Sequence, residues 1–314
     1  MIADQAALAR QTARSLVLDA AGAQVAVGLE RVGVPSMVLK GPALVRRLYA
    51  DGAFRPYVDI DLLIPAAGLA VATEVLRGLG FVYALEQARP DERSAVEQEW
   101  WRHSDGAYID LHIAFHGIDP AEEAWTVLSA GSARQVMGGE NVLFPADGAL
   151  ALLVALHASS ASADASKPFE DLDRAVGAFP TEVWRDALKR ATATSSVDSM
   201  SAGLRRTAAG VPIAEVLDLE PSSDIELLVF SDPRAQPATW RTIGAISLAR
   251  LSKVDGFGAR LRFVLQGLFP SPAKLRESSG RRLPLVLAYP RHWWRALKAL
   301  GSGLPLLMKA RRRG

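Results

Sequence analysis

Three aspartates in two apolar runs have the types and spacing that can carry out chemistry. Asp59 and Asp61 lie in the run 57–64, YVDIDLLI, and Asp110 lies in the alternating run 107–115, AYIDLHIAF. Because side chains alternate between the two faces of a β-strand, Asp59 and Asp61 are predicted to share one face. Like charges this close repel each other unless a cation or a proton intervenes. If the two strands are neighbours, the sequence predicts that three carboxylates bind a metal.

Three carboxylates together with phosphate oxygens suit Mg²⁺, which keeps several waters and favours phosphate ligands. Two ions about 4 Å apart hold the attacking and leaving oxygens of an in-line phosphoryl displacement. We therefore expect Asp59, Asp61 and Asp110 to be catalytic and to bind two Mg²⁺ ions. We also expect Asp61→Asn to abolish activity and to relieve the repulsion between the carboxylates. The alternative is that Asp59 and Asp61 are strand-end acids near solvent and that Asp110 binds a backbone amide. That alternative suits a single aspartate better than all three.

A glycine turn and nearby cations extend this site towards a phosphate ligand. Gly41 follows a short apolar strand, 36–39, and precedes a helix, so backbone amides and the helix end can approach a negative charge. Lys40 adds a cation, and Arg55 can make a charge-assisted contact with a polyphosphate. His112 shares a strand face with the third aspartate. Alternatively, Gly41 belongs to a common Gly-Pro turn, and Arg55 is an ordinary surface arginine.

The segments that must position these residues have strand patterns in the first half of the chain. We predict strands at 36–39, 57–64, 81–85 and 107–115 and a hairpin at 134–144, with helices before and between them. After residue 145 the strand patterns fade and helix patterns follow one another. We therefore predict an α/β (α+β) fold, in which residues 1–144 form a small mixed sheet with flanking helices and residues 145–314 form an all-helical lobe.

The composition is that of a folded chain without cysteine chemistry. Of the 314 residues, 49% are hydrophobic and 22% are charged, which is the balance of an ordinary globular protein. The absence of cysteine excludes disulfide scaffolds, thiolate zinc sites and cysteine nucleophiles. No secretory signal pattern is present, and no run reaches the roughly 18 apolar residues of a membrane span. We expect a soluble cytoplasmic protein.

Charge is distributed unevenly along the chain. The formal net charge is +2, yet residues 260–314 contain 13 lysines and arginines and one acid, which leaves 23 bases and 33 acids in the first 259 residues. A basic end of this kind can meet an anionic substrate, nucleic acid or membrane headgroups, or it can be a solvated surface. Because Pro284, Pro290 and Pro305 interrupt a continuous interfacial helix, we expect a terminal helix that packs its tryptophan face on the helical lobe.

Three sequence runs together resemble the uncharacterised nucleotidyltransferase-like family of the polymerase-beta superfamily. They are VLKGPA at 38–43, RPYVDIDLLI at 55–64 and YIDLH at 108–112, within a resemblance that covers about 34–180. The resemblance implies a nucleotidyltransferase core in which Gly41 is the turn glycine, Asp59 and Asp61 are the metal pair, and Asp110 is the third carboxylate. It also implies a functional group on the first two helices after the sheet, formed by His157, Lys167 and Asp171. A lone histidine on an apolar helix face equally fits a core residue.

The resemblance implies Mg²⁺-dependent transfer of a nucleoside monophosphate from a nucleoside triphosphate to a hydroxyl or phosphate acceptor, with release of pyrophosphate. The residues expected to contact the nucleotide are Lys40, Gly41, Arg55, His112 and Lys167. Members of the family accompany peptide natural-product gene clusters, so the acceptor is expected to be a peptide or a small molecule. The alternatives are a non-catalytic regulatory module on the same fold, or a toxin-like enzyme that nucleotidylates tRNA or protein through the basic end.

Overall fold

One mixed sheet of seven strands lies in the part of the chain that the structure describes. The computed structural model describes residues 2–49, 53–89, 94, 96–162, 164–232, 240–279 and 284–312. The strands are β1 (Met37–Val38), β2 (Ile60–Leu63), β3 (Val82–Tyr83), β4 (Glu97–Trp101), β5 (Tyr108–His112), β6 (Ala133–Met137) and β7 (Glu140–Phe144). Their order across the sheet is β3-β4-β5-β2-β1-β7-β6. The predicted mixed sheet is therefore confirmed.

The two aspartate runs form neighbouring strands near the centre of the sheet. Strands β2 and β5 are parallel, and their register pairs Ile60 with Ile109 and Asp61 with Asp110. Both isoleucines are fully buried. This burial fixes the register, because a slip by one residue would turn every side chain of the strand to the opposite face. The carboxylates of Asp61 and Asp110 are thereby held on the same side of the sheet.

Helices flank the sheet and continue directly into the helical lobe. The flanking helices are α1 (Ile2–Arg31), α2 (Pro42–Leu48), α3 (Leu69–Gly78) and α4 (Glu123–Ser129), and the lobe begins with α5 (Asp147–Ser160), α6 (Ser166–Ala178), α7 (Thr181–Ala193), α8 (Val197–Leu204) and α9 (Gly210–Val216). Helix α5 is buried on nearly all sides, as an apolar helix without a polar face must be. One hydrophobic core contains residues of the sheet and of the lobe as far as Leu219. The predicted boundary after residue 144 therefore follows the last strand but does not divide the core.

The last described helices are α10 (Ile225–Phe230), α11 (Trp240–Lys253), α12 (Phe257–Leu268), α13 (Pro272–Ser279) and α14 (Leu285–Arg311). Residues of α10, α11 and α14 form a second, smaller core. Helices α11 and α14 cross at two glycines: a Cβ on Gly303 would lie 2.3 Å from the backbone nitrogen of Ala245, and one on Gly244 would lie 1.8 Å from the carbonyl oxygen of Ala299. The small residues let the two backbones touch. Alanines and leucines at these faces form the core beside the crossing.

The C-terminal segment differs from the sequence expectation in two respects. Helix α14 is continuous, with Pro290 and Pro305 inside it. Each proline lacks an N–H, so the carbonyls four residues earlier, at Val286 and Gly301, have no helical hydrogen-bond donor. Both residues are exposed, so water can donate to these carbonyls instead. The buried residues of α14 are alanines, a glycine and leucines rather than tryptophans, since Trp293 is 42% and Trp294 68% exposed. Among the described helices, none combines the length and apolar character needed to cross a bilayer.

Candidate active site

Two of the three predicted aspartates and a histidine form one cluster. Ligand atoms of Asp61, Asp110 and His112 all lie within 4.8 Å of one another, the only such group of three or more possible metal-binding side chains among the described residues. Asp61 and His112 are buried, and Asp110 is partly exposed. Asp59 lies outside this group, in the bend directly before β2. Its carboxylate is nevertheless close enough to raise the pKa of Asp110.

Asp59 leaves the strand because the segment before it is anchored elsewhere. The hydroxyl of Tyr57 donates a hydrogen bond to Asp19 of α1 at 2.7 Å. Two residues earlier, Arg55 pairs with Asp171 of α6. These contacts anchor residues 55–57 to α1 and α6, and the strand begins at Ile60 rather than at residue 57. The predicted strand is correct in its centre and too long at its start.

Lys40 and His112 both contact one oxygen of Asp61. The Nζ atom of Lys40 lies 2.7 Å from Oδ1, and Nε2 of His112 lies 3.1 Å from the same atom. Burial alone would raise the pKa of Asp61, but Lys40 and His112 outweigh it and hold the pKa below its usual range. Among the described residues, nothing binds Oδ2 of Asp61. This oxygen is therefore available to a ligand.

Asp110 is a carboxyl group that lacks a cationic partner among the described residues. Burial, and then the charges of Asp61 and Asp59, raise its pKa to about 7. The pKa of Asp59 is raised by burial and by Asp61, against the attraction of Lys40 and Lys167. Because both carboxyl groups resist ionisation, a cation bound beside them would stabilise their ionised forms.

The donor atoms fit a divalent cation with a preference for oxygen. Oδ2 of Asp61 and the carboxylate of Asp110 are hard oxygen ligands, as Mg²⁺ requires. Nε2 of His112 donates to the Asp61 carboxylate rather than standing free, and imidazole favours transition metals over Mg²⁺. We therefore assign His112 the role of orienting the Asp61 carboxylate, as residues behind a metal ligand commonly do.

The turn after β1 has the backbone that only glycine adopts readily. Gly41 has φ 54° and ψ −105°, and a Cβ there would lie 3.4 Å from the Tyr57 ring. Pro42 begins α2 and carries no N–H, and the N–H of Ala43 donates to the carbonyl of Lys40. Two of the amides expected to approach a phosphate are therefore absent or already bonded. The phosphate role of Gly41 stays a prediction.

Arg55 lies in a buried ion pair rather than on the open face of the cluster. Its Nε and Nη2 atoms donate to the two oxygens of Asp171, each at 2.6 Å, and the hydroxyl of Tyr49 donates to Asp171 at 2.7 Å. Arg55 and Asp171 are both almost fully buried. This geometry ties α6 to the segment before β2, so the guanidinium is engaged by protein and its predicted triphosphate contact gains no support.

Lys167 and His157 lie on the two helices that border the cluster. Lys167 of α6 donates a hydrogen bond to the carbonyl of Pro56, and burial followed by Arg55 lowers its pKa. Burial followed by Lys40 lowers the pKa of His157 to about 4, so this imidazole is neutral at pH 7. Lys167 is a partly buried cation beside the cluster, whereas His157 has the properties of a core histidine.

Strand β4 brings two acids to the site that the sequence analysis did not identify. Oε2 of Glu97 lies 3.7 Å from Nδ1 of His112, too far for a hydrogen bond, and Glu99 pairs with Asp110 in the register of β4 and β5. Glu99 adds to the raised pKa of Asp110. The signal was the alternation of Glu97 and Glu99 in EQEWW, which places both on one face.

A family model described as an uncharacterised nucleotidyltransferase matches residues 4–209. The chain belongs to this family of nucleotidyltransferases. The match covers the whole sheet and the lobe through α8, and it ends before α9. No curated protein matches the chain. Among solved structures, it is similar to the solution structure of the antibiotic-resistance factor ANT(2'')-Ia, at 18% identity, with 58% of this chain and 91% of that chain covered and a TM-score of 0.41.

Proposed function

We propose that this protein transfers a nucleoside monophosphate from a nucleoside triphosphate to a hydroxyl or phosphate of an acceptor, in a Mg²⁺-dependent reaction. A bond forms between the acceptor oxygen and the α-phosphorus, and the bond from that phosphorus to the bridging oxygen breaks, so that pyrophosphate leaves. The observation that carries the proposal is the in-register pair of Asp61 and Asp110, whose carboxylates have oxygens available to a ligand. The chain that presents this pair belongs to a nucleotidyltransferase family.

Asp61 and Asp110, together with Asp59, would hold the divalent cation. When bound, the cation neutralises charge on the phosphate and lowers the pKa of the attacking group. Lys40 keeps Asp61 ionised, because its ammonium lies against Oδ1 in a buried setting. His112 fixes the rotamer of the same carboxylate. The protein thus presents the Asp61 carboxylate as a preformed anionic ligand for a cation.

The triphosphate contacts that we propose are Lys40, Gly41 and Lys167. Lys167 lies at the start of α6 beside the bend that contains Asp59, and its ammonium is bonded to a backbone carbonyl rather than to a carboxylate. A polyphosphate offers that ammonium a stronger, charged acceptor. Arg55 supports this contact from behind, since its ion pair with Asp171 holds α6 against the segment before β2.

The proposal is tested with nucleoside triphosphates labelled at the α- or γ-phosphate. Purified protein, Mg²⁺ and each nucleotide are incubated with a cell lysate of the source, and labelled products are separated. We expect label from the α-position, and none from the γ-position, in one class of product. Asp110→Asn should abolish the transfer, and the control Asp173→Asn, which changes an exposed carboxyl on α6, should retain it. Undiminished transfer by Asp110→Asn would contradict the assignment.

An acceptor-independent measurement separates a missing acceptor from an inactive protein. Mg²⁺ with a non-hydrolysable nucleoside triphosphate should raise the melting temperature of the wild type and of Asp173→Asn, but not of Asp110→Asn, because a ligand that binds only the folded state stabilises it. Nucleotide binding without transfer in any lysate would favour the regulatory module. Treating the lysate with ribonuclease or protease before the reaction distinguishes tRNA from a peptide acceptor, and resistance to both indicates a small molecule.

A further inference from the structure

Helix α14 has an apolar face on each side, and within the described part of the chain one face is packed while the other is exposed. The packed face crosses α11 through small residues such as Gly303 and Ala299. The opposite face carries apolar side chains, most of them spaced three or four residues or two helical turns apart, so that they form one line along the helix. This line, which we call the α14 stripe, consists of Val286, Trp293, Trp294, Leu297, Leu300, Leu304 and Met308, all of them between 41% and 77% exposed.

Helix α12 repeats the arrangement without any buried residue. Phe257, Leu261, Val264 and Leu265 fall on one face of the helix and are all exposed, Phe257 at 82%. The end of α12 is joined to α14, since the indole nitrogen of Trp293 donates to the carbonyl of Leu268 at 2.7 Å. A helix that exposes four large apolar side chains and buries none does not contribute to a core formed by the described residues. Two adjacent amphipathic helices therefore present apolar side chains to the surroundings.

The charges beside these faces are all of one sign. Neither the segment 257–268 nor the segment 285–311 contains an aspartate or glutamate. Arg291 and Lys298 are exposed along one flank of the α14 stripe, and Arg260 and Arg262 are exposed on α12. An apolar line with arginines and lysines along its edge and tryptophans within it is the pattern of a helix that lies in a membrane interface.

We infer that α12 and α14 attach this protein peripherally to the surface of an anionic membrane. A second copy of the chain would bring the same excess of positive charge against the stripe, which opposes a dimer through this face. Nucleic acid would satisfy the cations but would leave the apolar stripe in water. An anionic bilayer satisfies both, because its headgroups meet the cations and its acyl boundary buries the apolar side chains. The surface lies outside residues 4–209, so the attachment is separate from the catalytic unit.

The test is co-sedimentation of the full chain with vesicles of phosphatidylcholine alone or mixed with phosphatidylglycerol. We expect binding to the mixed vesicles, little binding to phosphatidylcholine, and weaker binding at high salt. Leu297→Glu should reduce binding about tenfold or more, since it places a like-charged group against anionic lipid at the centre of the stripe. The matched control is Val216→Glu on α9, which makes the same kind of change at a valine that is 58% exposed and should bind as the wild type does.

A second variant keeps the apolar stripe intact. Arg291→Glu combined with Lys298→Glu should weaken binding to the mixed vesicles to a similar extent, and circular dichroism should show an unchanged fold for all variants. Equal binding to both vesicle types, or none to either, would overturn the inference. A concentration-dependent dimer that Leu297→Glu dissociates, without vesicle binding, would show that the face binds a second copy. Binding to tRNA that the double variant abolishes, again without vesicle binding, would show a nucleic-acid surface.

Discussion

Neutralising Asp61 and neutralising Asp110 should change the stability of the metal-free protein in opposite directions. Asp61 is paired with Lys40 at 2.7 Å and hydrogen bonded with His112 at 3.1 Å. Asp110 receives neither kind of contact from the described residues and is repelled by Asp61 and Asp59. The relief of repulsion that the sequence predicts for Asp61→Asn therefore belongs to Asp110→Asn. Loss of transfer activity is expected from both variants.

The size of the Asp110 effect follows from its pKa. The value rises from 3.8 to about 7 on folding, so between those pH values the folded state binds more protons than the unfolded state. The free energy of unfolding therefore falls as pH rises through this range and stays lowered above pH 7. At 1.36 kcal/mol for each pKa unit the loss is about 4 kcal/mol, and partial contact with solvent reduces it to about 2 kcal/mol. Asp110→Asn should recover that amount at pH 8 and little at pH 4.

The Asp61 effect has the opposite sign for a different reason. Its pKa is lowered on folding, so the ionised carboxylate stabilises the folded state above the unfolded pKa of 3.8. Removing one partner of a buried ion pair costs about 3 to 5 kcal/mol. The asparagine retains one oxygen that can accept a hydrogen bond from Lys40, which brings the expected loss to about 2 kcal/mol or more.

The assay is urea unfolding in EDTA at pH 8 and at pH 5, followed by fluorescence of the buried tryptophans. At pH 8, Asp110→Asn should unfold at higher urea than the wild type, Asp61→Asn at lower urea, and the control Asp173→Asn at the same urea. At pH 5 the gain of Asp110→Asn should shrink. If both site variants lose the same stability at pH 8, the repulsion between Asp110 and its neighbours does not exist and the argument for a cation loses its basis.

Three further outcomes follow from the contacts. Arg55→Met should lower the free energy of unfolding in urea by about 3 to 5 kcal/mol, because it leaves Asp171 buried without its cation. The double variant Arg55→Met with Asp171→Leu should recover most of that loss. An unchanged stability of the single variant would contradict this. Gly303→Ala should cost about 1 to 3 kcal/mol because its Cβ meets the backbone of α11, whereas Gly301→Ala, with open space around its Cβ, should cost little; equal losses would disprove the close crossing. Mn²⁺ titration followed by paramagnetic resonance should show one site without nucleotide and two with a non-hydrolysable nucleoside triphosphate, and two sites without nucleotide would be evidence against a single resident cation.

Local periodicity was sufficient to predict the parts of the fold that hold the carboxylates. Alternation in the runs around Asp61 and Asp110 predicts two half-polar strands, and their pairing in register confirms that prediction. Gly138 and Gly139 predict the hairpin of β6 and β7, and both adopt the positive φ of a tight two-residue turn. These features depend on neighbours in sequence, so the sequence contains them directly.

Contacts between distant segments account for what the sequence did not predict. The pairing of Arg55 with Asp171 joins residues 116 positions apart, and no local pattern distinguishes it from a free surface arginine. Strand β4 is polar along most of its length and exists because β5 pairs with it, so its own residues give little strand signal. The continuity of α14 through two prolines depends on both being exposed, which is a property of the packing.

Charge pairing among the aspartates of the site leads us to expect one resident cation, where the sequence predicts two. Of the four aspartates near the site, Asp61 is paired with Lys40 and Asp171 with Arg55. Asp59 and Asp110 have no cation within 4.0 Å among the described residues, and both have a raised pKa. Two unpaired carboxylates match the charge of one divalent ion. A second ion would add positive charge that these side chains cannot balance, and a nucleoside triphosphate brings the negative charge that can, so we expect the second cation to bind together with the substrate.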